Sequence, residues 1–323
     1  MTIISNCTAA IIKDAALALK KGHLVAFPTE TVYGLGADAT NKEAISRIYV
    51  AKGRPAEHPL IVHISSIEFL ENWAKDIPEF AIKLARSFWP GPMTLVLPRT
   101  RLAKDFISGG QDDIGLRVPS NFIALALLKE FEIQGGMGVA APSANRFGAV
   151  SPTSAKAVEI ELGSFLHFND QILDGGNCEV GIESTIIDCT DDKPKVLRPG
   201  MITTQMIEKV TELPTVNYFK FGQSKIRVSG SLASHYAPKA NVILDQSPQP
   251  GQGYIAMANF PTPDLVIRLA APKNNAEFAR SLYSALRAAD MEGLKSVVIK
   301  QPDGDGIAIA IRNRLSRAAA NNS

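Results

Sequence analysis

The sequence predicts an α/β protein of two domains, and three observations carry that reading. Helix-period and strand-period segments alternate through the first two-thirds of the chain. At 323 residues the chain is longer than one hydrophobic core usually organises. The periodicity weakens after residue 212 and restarts at Asn241. The division is then residues 1–212 as a compact α/β domain, 213–240 as an ordered linker or lid, and 241–323 as a small α/β domain of Rossmann-like type.

Each element has a local cause. Residues 8–21 keep helical spacing until Lys20-Lys21-Gly22, where basic residues and a glycine favour termination. Residues 24–27 are a short apolar run that reads as a buried strand, and Gly34 and Gly36 read as tight-turn glycines. Asn41 can cap a helix running through Ile48 toward Lys52. Residues 60–64 read as a strand. Pro78 suits the first turn of a helix through Phe88, which Trp89-Pro90-Gly91-Pro92 stops. Residues 93–97, 114–118, 138–141 and 184–188 read as strands, with helices at 121–131 and 152–162 between them and a closing helix at 203–212. After the linker come strands at 242–244, 254–258, 265–268 and 297–299 and helices at 276–289 and 308–318.

Composition narrows the chemistry. Apolar residues make up 46% and charged residues 20%, an ordinary soluble balance, and the net charge of +2 carries no bulk nucleic-acid or membrane signature. No apolar run approaches the roughly 18 residues of a membrane span. Cys7, Cys178 and Cys189 are odd in number and lack CxxC spacing, which favours a reducing, cytoplasmic setting over a disulfide framework or a zinc site.

The candidate chemistry is that of an anion site. Lys52 and Arg54 end a helix in a segment stiffened by Pro55 and Pro59, and the arginine fork suits phosphate or carboxylate. Arg117 is a charge inside an apolar strand and needs a partner, either an internal acid or a substrate anion. Thr29, Thr31, Ser143, Ser151 and Ser184 supply hydroxyls, and Arg198 a further cation. His63 ends a strand, and His58 stands in the loop before it. His235 and Tyr236 fall in the linker. No Asp/Glu or Cys/His set converges, so metal-cage and carboxylate-pair hydrolase readings lose support. Gly34-Leu-Gly36-Ala-Asp-Ala39 matches a dinucleotide fingerprint only superficially, because it neither follows directly on a strand nor opens a helix.

The ordered set Pro28-Thr-Glu-Thr-Val-Tyr-Gly-Leu-Gly36, Lys52-Gly-Arg-Pro55, Pro59-Leu-Ile-Val-His63, Trp89-Pro-Gly-Pro-Met-Thr94, Leu116-Arg-Val-Pro119, Ala141-Pro-Ser-Ala-Asn145, Glu183-Ser-Thr-Ile-Ile187, Leu197-Arg-Pro-Gly200 and His235-Tyr-Ala-Pro238 resembles the YrdC-like L-threonylcarbamoyladenylate synthases in their long, two-domain form. The resemblance implies a YrdC-like twisted mixed sheet with flanking helices and a central cleft. It implies the condensation of L-threonine, bicarbonate or carbon dioxide, and ATP into L-threonylcarbamoyl-AMP and pyrophosphate. A separate transferase machinery then modifies tRNA beside the anticodon. By the same resemblance Thr31, His63, Arg117 and Ser184 surround threonine. Lys52, Arg54, Ala141, Ser143, Ser151, Arg198 and Tyr236 hold ATP, and Lys52, Arg54 and Arg117 act in the reaction. His58 and Asp113 occupy ATP-side positions where asparagine and threonine are common in the family. Magnesium accompanies the phosphates without a dedicated protein cage. Two other readings remain open at this point: a double-stranded RNA or tRNA-binding module without synthase activity, and a YrdC-like domain that uses carbamoyl phosphate. Near-neutral charge weighs against the first, and the lack of zinc-finger cysteines against the second.

Overall fold

The chain was analysed as a computed structural model, which describes residues 3–217, 226–228 and 236–320. Much of the expected lid at 213–240, including His235, lies outside the described residues.

Among the described residues, the first sheet has eleven strands: β1 (Ile3–Ile4), β2 (Val25–Phe27), β3 (Gly34–Asp38), β4 (Ile61–His63), β5 (Met93–Pro98), β6 (Asp113–Arg117), β7 (Val139–Ala140), β8 (Gln171–Leu173), β9 (Thr185–Asp188), β10 (Lys195–Arg198) and β11 (Val216–Asn217). Their order across the sheet is β1-β8-β2-β3-β7-β4-β6-β5-β9-β10-β11, with parallel and antiparallel neighbours mixed. Alternation along a strand sends its side chains to opposite faces. Accordingly Val25 and Phe27 join a core built with helices Ala9–Lys20 and Phe122–Ile133. Ala26 joins the larger core under helices Lys42–Lys52 and Glu79–Phe88.

Three features differ from the sequence reading. Gly34 and Gly36 are not turn glycines; they lie in β3, in the middle of the sheet. A Cβ on Gly36 would sit 2.8 Å from Phe27 Cε1 and 2.9 Å from Val139 Cγ1, so the glycine is there for close packing. Strands β1, β8, β10 and β11 were not expected, and β11 falls inside the stretch read as a linker. The helix expected from residue 152 starts at Ala155, capped by the Ser154 hydroxyl.

The second sheet is four-stranded and parallel: β12 (Asn241–Leu244), β13 (Gly253–Ile255), β14 (Ile267–Ala270) and β15 (Ser296–Ile299), ordered β12-β15-β13-β14. Helices Asn275–Met291 and Ile307–Ala319 pack on it. The two sheets' domains share an apolar cluster in which Val32, Val150 and Ile182 meet Phe278, Ala279, Leu282 and Tyr283. Between the domains, the described stretch 226–228 is tied down: Val228 packs with Val96, Ile186 and Leu197, and Gln111 exchanges hydrogen bonds with the backbone of Arg227 at 2.6 and 3.0 Å.

Candidate active site

Parallel pairing of β4 and β6 places His63 opposite Arg117 at the carboxyl ends of both strands. There they help wall a cleft. Thr29, Thr31, Arg54, Ala141, Ser143, Glu183, Ser184, Arg198 and Tyr236 also line it.

On the Arg117 side, the chain turns after β2 so that Thr29 and Thr31 hydroxyls lie 2.8 Å apart, and the Thr29 hydroxyl donates to the Val32 carbonyl at 2.7 Å. Arg117 Nη2 donates to Thr31 Oγ1 at 2.9 Å and to Glu30 Oε1 at 2.5 Å. Glu30 Oε2 accepts the Ser120 N–H at 3.0 Å. Arg117 therefore has the internal acid that a buried arginine requires, and among the described residues its buried Nε has no hydrogen-bond partner. His63 Nδ1 is likewise buried and unpartnered. Burial first and Arg117 second push the imidazole down to about 3, so it is neutral at physiological pH.

The opposite side is cationic. Helix Lys42–Lys52 ends at Gly53, whose φ of +60° is the left-handed cap that glycine adopts without strain, and the chain turns into Arg54. Arg54 Nη2 donates to the Pro59 carbonyl at 2.9 Å, and burial with the neighbouring Arg198 charge lowers its guanidinium to about 10. Lys52 does not line the cleft. Its Nζ donates to the carbonyls of Ser143 (2.6 Å) and Asn145 (2.5 Å), and burial, then Arg54, push its ammonium well below the ordinary value. In this arrangement Lys52 braces the 143–145 loop behind the cavity wall.

At the third corner Arg198 Nε donates to the Ser184 carbonyl and Nη2 to Ser184 Oγ, both at 3.1 Å, and Thr94 Oγ1 lies 2.8 Å from that hydroxyl. Ser151 is fully buried behind this wall and donates to Glu183 Oε1 at 2.6 Å. Tyr236, from the linker, is 1% exposed and lines the cleft with Arg198.

Among the residues expected at the site, Thr31, Arg54, His63, Arg117, Ala141, Ser143, Ser184, Arg198 and Tyr236 share the cleft, whereas Lys52, Ser151, His58 and Asp113 do not line it. The His58 ring packs edge-on against Phe147 at 5.3 Å. Asp113 lines a separate small pocket with Gln111 and Arg227. Burial, then Asp188 and Asp112, raise its carboxyl. Cys178 is a buried thiol, pushed up to about 12 mainly by burial. The sequence reading had missed Glu183, whose partners Tyr283 and Arg314 come from 100 and 131 residues away. No local pattern announces contacts at that separation.

A larger open groove elsewhere carries Lys42, Lys75, Arg99, Arg101 and Lys104, but also Asp76, Asp105, Asp112 and Asp113. Arg99 is 2.6 Å from Asp105. Such mixed charge is unlike the one-signed face that a duplex RNA requires. Among the described residues no cluster of three or more metal-ligating side chains occurs, and no helix is long and apolar enough to cross a membrane.

Known proteins resemble this chain over nearly its whole length. A family profile described as telomere recombination covers residues 17–200, and one described as the threonylcarbamoyl-AMP synthase C-terminal domain covers 202–320. A threonylcarbamoyl-AMP synthase of Pyrococcus abyssi is 40% identical, over 99% of this chain and 98% of its own. One of Bacillus subtilis is 38% identical, over 95% and 92%. The crystal structure of P. abyssi Sua5 complexed with L-threonine superposes with a TM-score of 0.89 at 38% identity, covering 99% of this chain and 98% of that one.

Proposed function

The chain belongs to the YrdC-like threonylcarbamoyl-AMP synthase family in its two-domain form, and on that basis we propose how its cleft carries out the synthesis of L-threonylcarbamoyl-AMP from L-threonine, bicarbonate or carbon dioxide, and ATP. The observation that carries the reading is one cleft holding two sets of groups: Thr31, His63, Arg117 and Ser184 for an amino acid, and Arg54, Ser143, Arg198 and Tyr236 for a nucleotide.

The chemistry joins three anions that repel one another. The threonine amine, as the free base, adds to carbon dioxide and loses a proton, giving a carbamate. A carbamate oxygen then attacks the α-phosphorus, and pyrophosphate leaves. The protein's part is proximity and electrostatics. Arg117, oriented by Glu30, offers its open Nε to the threonine carboxylate. Arg54 and Arg198 offset charge on the phosphates. An imidazole near 3 is too weak a base to deprotonate an ammonium, so His63 serves as a neutral hydrogen-bonding wall rather than as the general base. Lys52 supports the 143–145 loop, and His58 and Asp113 stand outside the cleft lining. Magnesium enters with the triphosphate as part of the substrate. Glu183 is the one carboxylate among the described lining residues, and Arg314 already engages it. The adenylate is a reactive mixed anhydride, which fits delivery to a tRNA-modifying transferase soon after synthesis.

Incubation with ATP, threonine and bicarbonate, followed by mass detection of the adenylate, tests the proposal. Pyrophosphate release should require all three; equal release without threonine or without bicarbonate would overturn it.

A further inference from the structure

Glu183 lies in the cleft wall of the first domain, yet most of its partners come from the second. Arg314 Nε, on helix Ile307–Ala319, donates to Glu183 Oε2 at 2.8 Å, and Nη2 reaches the Glu183 carbonyl at 3.4 Å. The Tyr283 hydroxyl, on helix Asn275–Met291, lies 2.9 Å from Oε2 and 3.2 Å from Oε1. Ser151 takes up the rest of Oε1. The same pair also braces a second lining residue: the Tyr283 ring stacks on the Tyr236 ring at 5.9 Å and 24°, and the Arg314 guanidinium lies 5.4 Å from the centre of that ring. Arg314 is 1% exposed and Glu183 5%.

We propose that Arg314 and Tyr283 are positioning residues for the reaction: from the C-terminal domain they hold Glu183 and Tyr236, and so set the Ser184–Arg198 corner of the cleft. A buried ion pair is poor adhesive, since its desolvation offsets most of its attraction. Adhesion between the domains has an apolar source in Val32, Val150 and Ile182 against Phe278, Ala279 and Leu282. The pair's position fits placement instead. It acts on residues from two separate segments, and both face the cavity. Glu183 immediately precedes Ser184, whose hydroxyl and carbonyl both orient Arg198. Burial alone would raise the Glu183 carboxyl, but Arg314 and Arg198, with the Ser151 hydrogen bond, hold it at about 2. It is therefore a fixed charge throughout the working range.

This inference rests on the synthase reading, and the test separates the two. The full chain and the variants Arg314→Leu, Arg314→Lys, Tyr283→Phe, Ser184→Ala and Tyr283→Phe/Ser184→Ala are assayed for kcat and KM, with threonine binding followed by calorimetry and folding by circular dichroism and thermal melting. Failure of the unsubstituted chain to form adenylate would sink the synthase reading; the ratios between variants bear on the positioning role. Arg314→Leu should lower kcat/KM for threonine by roughly 100-fold, with Arg314→Lys recovering part of the loss. Tyr283→Phe keeps the ring stack and loses only the hydroxyl; it should cost roughly tenfold in a chain that still folds. If the role runs through Glu183 to Ser184, the double variant should be no worse than Ser184→Ala alone, a non-additivity that a general loss of stability would not produce. Should Arg314→Leu fail to fold, Tyr283→Phe and its cycle decide alone. Folded Tyr283→Phe within twofold of the unsubstituted chain, or losses that simply multiply in the double variant, would overturn the proposal.

Discussion

In the cleft wall an imidazole of ordinary value near 6.5 is pushed down to about 3, by burial first and by Arg117 second. The consequence for stability has a definite sign. Below pH 6.5 the unfolded chain binds a proton at His63 that the folded chain refuses, so stability contributed above 6.5 is lost as pH falls toward 3, by about 1.4 kcal/mol per unit. Replacing His63 with Asn should flatten that dependence between pH 6.5 and 4.5, as read by urea unfolding at a series of pH values; parallel curves for the two proteins would contradict the shift. Lys52 and Arg54 should separate in a different way. Arg54→Ala removes a cation facing the cleft, together with its hydrogen bond to the Pro59 carbonyl, and should lower turnover by about two orders of magnitude in a chain that still folds. Lys52→Met leaves the Ser143 and Asn145 carbonyls buried without a donor, which costs about 1–3 kcal/mol each, so here activity and melting temperature should fall together. A normal melting temperature in Lys52→Met would mean that the ammonium is free to serve the substrate. The sequence pointed to the arginine fork and to the need for a partner at Arg117. It could not distinguish a lysine facing a ligand from one bracing a loop, because that depends on where residues 143–145 fold back.

The elements that were legible before folding are those with long periodic patterns or strong caps: helix Lys42–Lys52 after Asn41, and helix Glu79–Phe88 before Trp89-Pro90. Those that were not are short or glycine-bearing. β8 has three residues, of which only Ile172 and Leu173 are apolar, between Asp170 and Asp174, so no apolar run marks it. β3 was obscured by Gly34 and Gly36, since glycine in isolation signals a turn. Its reason here is lateral: Phe27 from β2 and Val139 from β7 crowd the Cα of Gly36. Gly36→Ala would overpack that contact, with the Val25 carbonyl only 3.0 Å from the new carbon, and should cost about 1–3 kcal/mol. A variant that unfolds at the same urea concentration as the parent would show that the sheet relaxes around the methyl group.

Across the whole molecule, the cleft depends on how closely two cores approach, and the sequence offered only that the pattern restarts at Asn241. Gly181 marks one point of close approach. Its φ is +83°, and a Cβ there would lie 2.4 Å from Arg280 Cα and 2.5 Å from the Ala279 carbonyl, on the helix that carries Tyr283. Neither obstacle is a movable side-chain tip, so Gly181→Ala must push helix Asn275–Met291 away from the 177–183 loop. Left-handed backbone strain would accompany the clash, and the two are separable. Gly176 has a similar φ of +76° with nothing within 4 Å of its ideal Cβ, so Gly176→Ala carries the strain alone, about 1–2 kcal/mol. Gly181→Ala should therefore do more than Gly176→Ala. Calorimetry should resolve two melting transitions in place of one as the C-terminal domain loosens, and threonine affinity should drop as Tyr283 draws back from Glu183. If both alanine variants melt in a single transition and bind threonine alike, the close contact at Gly181 is not what couples the second domain to the cleft.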